Sequence, residues 1–326
     1  MKKILGMGNA LTDILLQIDN DELLGSLNLL KGGMQLIDTE RSVEISEAVS
    51  RFSKVMATGG SASNTINGIT RLGLQAGFVG KVGSDEIGSF FSKDSESNGV
   101  VPHLLFSETP SGRCTVLVSP DSERTLCTYL GAACELEASD LHDGMFSGYD
   151  IFHIEGYLVQ NHELIRTAVR LAKQAGLKVS IDLASYNVVE ANLEFLNEII
   201  EEYVDVVFAN EDEARAFTGF EAEEALHAIA EKCSIAVVKV GKEGSFIKNG
   251  GEVVKVDAQK SNCIDTTGAG DLYAAGFLFG LANNYPLETC GNIGSVVSGN
   301  VVEVLGAKMT DETWNSIQGK IRAMVN

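Results

Sequence analysis

Six short apolar runs, at residues 4–8, 77–82, 150–154, 178–183, 205–209 and 235–240, constrain this chain most. Each has the length and composition of a buried strand and is too short for a core helix. Between them the period changes. Leu164, Ile165, Ala168, Leu171, Ala172 and Ala175 recur at helical spacing, and residues 222–232 behave in the same way. Strands alternating with helices predict a doubly wound α/β fold: a mostly parallel sheet with helices on both faces. Ligands in such sheets bind beyond the carboxyl ends of the strands, where Asp182, Asn210 and the Glu155-Gly156 pair stand here.

Two stretches break the alternation. Residues 14–18 with 27–37, and residues 104–130, read as short strands joined by turns at Gly32-Gly33, Thr109-Pro110-Ser111-Gly112 and Pro120-Asp121-Ser122. They predict a small inserted β-sheet lid of residues 14–38 and 101–130. The α/β domain then comprises residues 1–13, 39–100 and 131–326. The competing reading makes these strands edges of the main sheet.

A formal net charge of −20 argues against a nucleic-acid backbone as partner. It leaves an anionic nucleotide open, because a helix terminus or a metal overrides the global field locally. The cysteines (114, 127, 134, 233, 263 and 290) include no C-x-x-C pair, so free thiols in a reducing compartment fit better than a zinc site. Asn9, Thr12 and Asp13 interrupt any signal-peptide core. No segment approaches the roughly 20 apolar residues that span a bilayer. The expectation is a soluble cytoplasmic protein with neither nucleic acid nor membrane as partner.

The densest chemistry lies in Asp265-Thr266-Thr267-Gly268-Ala269-Gly270-Asp271, which runs into an apolar segment with helical spacing. Thr267 reads as the helix N-cap. Gly268 and Gly270 let an anion approach unpaired N–H groups at the positive end of the helix dipole. Asp271 adds a carboxylate beside that cradle, a pairing suited to phosphoryl transfer. The competing reading is a glycine turn before a buried helix, with Asp271 complementing the dipole. Gly6-x-Gly8 lacks the third glycine of a dinucleotide fingerprint, because position 11 is Leu11. Neither a P-loop nor the protein-kinase motif set occurs, so ATP would need another cradle. Gly59-Gly60 leads through Asn64 into a second helix, and Asp13 follows the first strand; both suit a hydroxylated ligand. Asn210-Glu211-Asp212-Glu213 offers carboxylates for Mg²⁺ through water, or dipole partners for a helix start.

In order and together, these residues resemble the ribokinase-like (PfkB) family of carbohydrate and nucleoside kinases. The run 265–271 matches its C-terminal signature, Gly59-Gly60 with Asn64 its N-terminal signature, Gly8-Asn9 with Asp13 its opening strand, and Asn210 with Glu213 its Asn-x-x-Glu motif. The resemblance implies transfer of the ATP γ-phosphoryl group to a hydroxymethyl oxygen. It makes Asp271 the catalytic base and the amides of Gly268, Ala269 and Gly270 the anion hole. It assigns Asp13, Gly60 and Asn64 to acceptor hydroxyls, Gly241, Gly244 and Thr267 to the nucleotide, and Asn210 with Glu213 to Mg²⁺ through water. Many members also hold K⁺ with carbonyls near the signature and at a Gly-Ala pair, here Gly306-Ala307. Residues 124–132, 155–158 and 206–210 look closest to bacterial adenosine-kinase-like members. Tyr129 or Tyr157 then offers a surface for a purine, or serves as lid or core packing. The implied acceptor is a nucleoside, adenosine favoured, and the implied assembly a monomer or a lid-mediated homodimer.

Three alternatives stand beside this reading. One is a sugar kinase of the same family, acting on ribose, fructose or a related sugar. More remote are a nicotinamide-dependent oxidoreductase and a non-catalytic sugar or nucleoside sensor. For the kinase, the helix dipole predicts a depressed Asp271 pKa, tolerable where a loose transition state takes the proton late. Residues 104–130 are expected to close over substrate and exclude water.

Overall fold

The computed structural model describes residues 2–121 and 123–325, so Ser122 of the expected turn lies outside the described residues. Its strands are β1 (Lys3–Met7), β2 (Leu11–Gln17), β3 (Met34–Leu36), β4 (Val55–Gly59), β5 (Gln75–Gly83), β6 (Val100–Ser107) and β7 (Gly112–Val118). They continue with β8 (Arg124–Tyr129), β9 (Ile151–Glu155), β10 (Lys178–Asp182), β11 (Val206–Asn210), β12 (Ile235–Lys239), β13 (Ser245–Asn249) and β14 (Glu252–Val256).

Alternation along the buried strands sends side chains to two cores. Ile4, Phe78, Val206, Phe208 and Val237 face one apolar layer, with the helices Ser61–Arg71, Ala269–Ala282 and Leu287–Val301. Leu5, Met7, Val79, Val207 and Val238 face the other, with the helices His162–Gln174, Leu193–Tyr203 and Ala222–Ala230. Covering both faces is what makes these strands continuously apolar. The large sheet has the order β14-β13-β12-β11-β10-β9-β1-β5-β6. It is parallel from β6 to β12, and the β13–β14 hairpin adds antiparallel strands at one edge. The strand order reverses beside β1, between β9 and β5, which opens a crevice there.

A second sheet has the order β3-β8-β7-β2-β4. Leu16, Leu117 and Cys127 from its strands, with Ile18 just past β2, join Ile45 and Val49 in a core of their own. The helix Thr39–Ala48, which supplies Ile45, covers that face.

The expected lid boundaries need correction. Residues 100–107 form β6 at the edge of the large sheet, paired with β5 from Ala76↔Val100 to Gly83↔Ser107. The helix Glu86–Ser97 supplies the crossover that parallel neighbours require. Conversely, Thr39–Ala48 and β4 belong with the small sheet, and β2 already enters it at Leu11. The run 55–59 ends in the glycine pair, which hid a five-residue strand. Of residues 27–37, Met34–Leu36 is the strand. Among the described residues no helix is long and apolar enough to cross a membrane.

Candidate active site

The helix Ala269–Ala282 points its first turn at the crevice. Gly268 is its N-cap, with φ of 76° in the left-handed region that suits glycine. Thr267 does not cap the helix. Its hydroxyl and its N–H both donate to Asp265 Oδ1, at 2.7 and 3.0 Å. The Ala269 N–H donates to the Thr266 carbonyl at 3.1 Å, so the loop itself uses that amide. The N–H groups of Gly268, Gly270 and Asp271 have no acceptor among the described residues. Behind Gly270 lies the Lys239 ammonium, 3.1 Å from where a β-carbon would stand. Lys239 pairs with Asp182 at 2.7 Å. Burial works against its charge, but Asp182, Glu213 and Asp271 together hold its pKa above the ordinary value.

Asp271 turns inward from this loop. Ser61 Oγ donates to its Oδ1 at 2.7 Å, and Asn64 Nδ2 to its Oδ2 at 3.0 Å. Burial raises its pKa from 3.8 to about 6, against the pull of the Asn64 and Ser61 hydrogen bonds. The depressed value expected from the helix dipole is therefore overturned: desolvation of a half-buried carboxylate crowded by protein outweighs a terminal dipole.

The helix Ser61–Arg71 is set by Gly60, at φ 91°, where a β-carbon would stand 2.2 Å from the Asn9 carbonyl. Glu155, at the end of β9, fastens this corner. Its carboxylate accepts from the Asn9 N–H (2.9 Å), Asn9 Nδ2 (2.5 Å) and the Ala62 N–H (3.0 Å). Burial lifts its pKa to about 7. Asp13 of β2 rests its carboxylate against Gly59 and accepts no hydrogen bond among the described residues. Burial lifts its pKa to about 6, and Lys308 and Arg124 oppose the shift.

Two cavities flank this centre. One, of about 360 Å³, lies between the sheets. Leu11, Met34, Leu36, Leu130, Leu136 and Leu158 form its apolar part, while Asn9, Gly60, Ser61 and Glu155 form a polar floor. Tyr157 lines it. Tyr129 does not: its ring lies under the Arg113 guanidinium and its hydroxyl accepts from Thr39, so it is lid packing. The other cavity, about 530 Å³, opens on the far side of the signature loop and includes Gly241, Lys242, Lys260, Thr266 and Ala269. Gly244 and Thr267 are not part of its wall. A β-carbon on Gly244 would stand 1.9 Å from the Val256 carbonyl, so this glycine serves the β12–β13 turn.

Asn210 and Glu213 form a reciprocal cap on the helix Glu211–Thr218. Glu213 accepts from the Asn210 N–H and Nδ2 at 2.8 and 2.7 Å. Among the described residues no group of three or more His, Cys, Asp or Glu side chains is placed to hold a metal ion. Gly306, at the Gly-Ala pair, donates its N–H to Asp265 at 2.8 Å. Arg124 of β8 binds the same carboxylate, tying lid to loop.

Sequence reasoning placed Glu155 among the polar strand ends without giving it a role, and missed Ser61 and Arg124 as parts of this centre. Glu155 and Lys239 close strands whose other ends are apolar, which was a usable signal. Arg124 gave none.

The chain matches a family model described as pfkB family carbohydrate kinase over residues 24–314. The adenosine kinase from Sinorhizobium meliloti superposes with a TM-score of 0.85 at 34% identity, covering 98% of this chain and 99% of that one. A probable sugar kinase from Rhizobium etli gives a TM-score of 0.85 and 34% identity over the same shares. The 5-dehydro-2-deoxygluconokinase of Bacillus subtilis is 28% identical over 294 residues, 85% of this chain and 90% of that protein. The match over most of the chain shows that it belongs to the pfkB family of carbohydrate kinases, as an ATP-dependent carbohydrate/nucleoside kinase.

Proposed function

We propose that the chain transfers the γ-phosphoryl group of ATP to the hydroxymethyl oxygen of a nucleoside, with adenosine the favoured acceptor. The observation that supports this reading is the lining of the 360 Å³ cavity, in which Met34, Leu36, Leu130 and Leu136 stand together with Asn9, Gly60, Ser61 and Glu155. A sugar would turn hydroxyls toward Met34, Leu36 and Leu136, each losing water without a partner at about 1–3 kcal/mol. A flat base gains from the same contacts, and its ribose meets the floor. The adenosine kinase among the 34%-identical structures agrees with this choice.

Asp13, with no partner of its own, accepts the ribose hydroxyls, and Gly60 and Asn64 line their approach. Asp271 orients the reacting hydroxyl and takes its proton. A pKa of about 6 leaves Asp271 ionised at neutral pH and a somewhat stronger base than an ordinary carboxylate, with the alcohol's proton still taken late. The free N–H groups of Gly268 and Gly270 receive the charge that develops on the transferring group, with Lys239 behind them. The nucleotide occupies the 530 Å³ cavity along Gly241, Thr266 and Ala269.

Kinases of this family generally use ATP with Mg²⁺. The residues here fit a hydrated ion better than a chelated one. Both Glu213 oxygens are engaged by Asn210, while Asp182, Glu213 and Asp271 crowd together with Lys239 as counter-charge. Mg²⁺ arriving with ATP supplies positive charge at that surplus, and Asn210 and Glu213 hold its waters.

A coupled assay of ADP release over adenosine, other nucleosides, ribose, fructose and sugar phosphates tests the reading. Adenosine should give the highest kcat/KM; a sugar or sugar phosphate at the top of the panel would replace the nucleoside assignment with a sugar kinase.

A further inference from the structure

The apolar part of the acceptor cavity carries a few polar side-chain ends, and most are already committed. Asn161 caps the helix His162–Gln174 through the Leu164 N–H at 3.1 Å. Cys134 donates to the Gly131 carbonyl and Thr128 to Cys114 Sγ. The Tyr157 hydroxyl faces the Ala184 carbonyl at 3.4 Å. Gln160 differs. It is exposed and lines the cavity, its Nε2 makes one long contact to the Tyr157 carbonyl at 3.4 Å, and its Oε1 has no donor among the described residues.

We propose that Gln160 is a specificity-determining residue that reads the edge of the nucleobase, its amide oxygen accepting from an exocyclic amine and its amide nitrogen donating to the adjacent ring nitrogen. This rests on the nucleoside reading above. A primary amide offers one acceptor beside one donor, the complement of an adenine edge that presents N6–H beside N7. A base with a carbonyl in place of the amine meets that amide with two acceptors and loses one of the two bonds. The other polar ends on this wall have partners within the protein, so discrimination between purines falls to this side chain.

The test uses three probes, adenosine, inosine and purine riboside, with the wild-type chain, Gln160→Leu and Gln160→Glu. Gln160 is exposed, so the variants should fold, and thermal unfolding checks that they do. Binding of each probe without ATP is measured by calorimetry, and kcat/KM by ADP release. One neutral hydrogen bond corresponds to roughly 3–10-fold. The wild type should prefer adenosine to purine riboside and to inosine by at least that factor. Gln160→Leu should bring the adenosine-to-purine-riboside ratio close to one while purine riboside itself changes little. Gln160→Glu, which keeps the acceptor and loses the donor, should retain part of the preference for the amine. If wild type and Gln160→Leu show the same ratio, the role of Gln160 is overturned while the nucleoside reading stands. If none of the nucleosides is bound or phosphorylated, the reading fails and the inference falls with it.

Discussion

Asn64 and Asp271, 207 residues apart in sequence, meet at 3.0 Å through Nδ2 and Oδ2. The two glycine turns that precede them therefore converge on one carboxylate, and Ser61 completes its hold at 2.7 Å. This contact joins the two glycine-opened helices at the carboxylate proposed as the base.

Replacing the base isolates its role. Asp271→Asn keeps the volume and the loop but cannot take a proton. The expected result is a loss of about 10²–10⁴ in kcat, with KM for the acceptor within a few fold. Steady-state ADP release measures both, and a mutant with near wild-type turnover would exclude Asp271 as the base.

The rate should follow the ionisation of that carboxylate. With Asp271 as the proposed base, its protonated form is inactive, so kcat/KM should fall as pH drops through about 6 and level off above 7. Ser61→Ala removes a hydrogen bond that favours the charged form, so its acid limb should move to higher pH. A limb that stays near pH 4, or fails to move in the variant, contradicts the assignment.

These features were unequally legible in the sequence. The βα alternation and the run 265–271 could be read directly, because buried parallel strands and glycine-opened helices leave continuous local patterns. The lid boundary could not. β4 has five residues ending at Gly59 and looks like a turn, and β6 is told from a lid strand only by its pairing with β5. The Asp271 pKa was misjudged because burial is a tertiary quantity, invisible beside a dipole that the local sequence announces. Arg124 and Glu155 act across the fold on Asp265 and Asn9, and no spacing records such contacts.

Stability should rise on mild acidification. Glu155 has a folded pKa of about 7, raised by burial from 4.5, so the folded chain binds its proton more tightly than the unfolded one. Its share of stability is then fully present below about pH 4.5, declines from there and is lost as pH rises through about 7, on the order of 1 kcal/mol of it between pH 6 and 8. Glu213 shifts in the same direction, also through burial. His153, held near 4 by burial, stays neutral across this window. Urea unfolding at pH 6 and 8 checks the slope, and Glu155→Gln should flatten it. Stability that increases toward pH 8 would refute the prediction.

Gly60→Ala should cost more than about 1 kcal/mol, because the backbone sits at φ 91° and the added carbon meets the Asn9 carbonyl. The displaced turn carries Ser61, so acceptor KM should rise as well. Denaturation and kinetics of the one variant read both effects, and an unchanged midpoint would show that the turn has slack.

Acceptor binding should protect the lid. Met34, Leu36, Thr128 and Leu130 line the cavity from the small sheet, and hydrogen exchange in β3 and β8 should slow when adenosine is added. Equal exchange with and without adenosine would argue against closure.

Leu11, Met34 and Leu36 of the small sheet share the cavity's apolar wall with Leu136, Leu158 and Leu164, while Ser61 and Asp271 stand on two helices and Glu155 ends β9. On the nucleoside reading, the side chains around the base and the carboxylate at the reacting hydroxyl lie on separate stretches of chain. Changes at Met34, Leu36 or Leu130 can retune which molecule enters without touching the group that reacts with it. A library at those positions tests new acceptors while Asp271 stays in place.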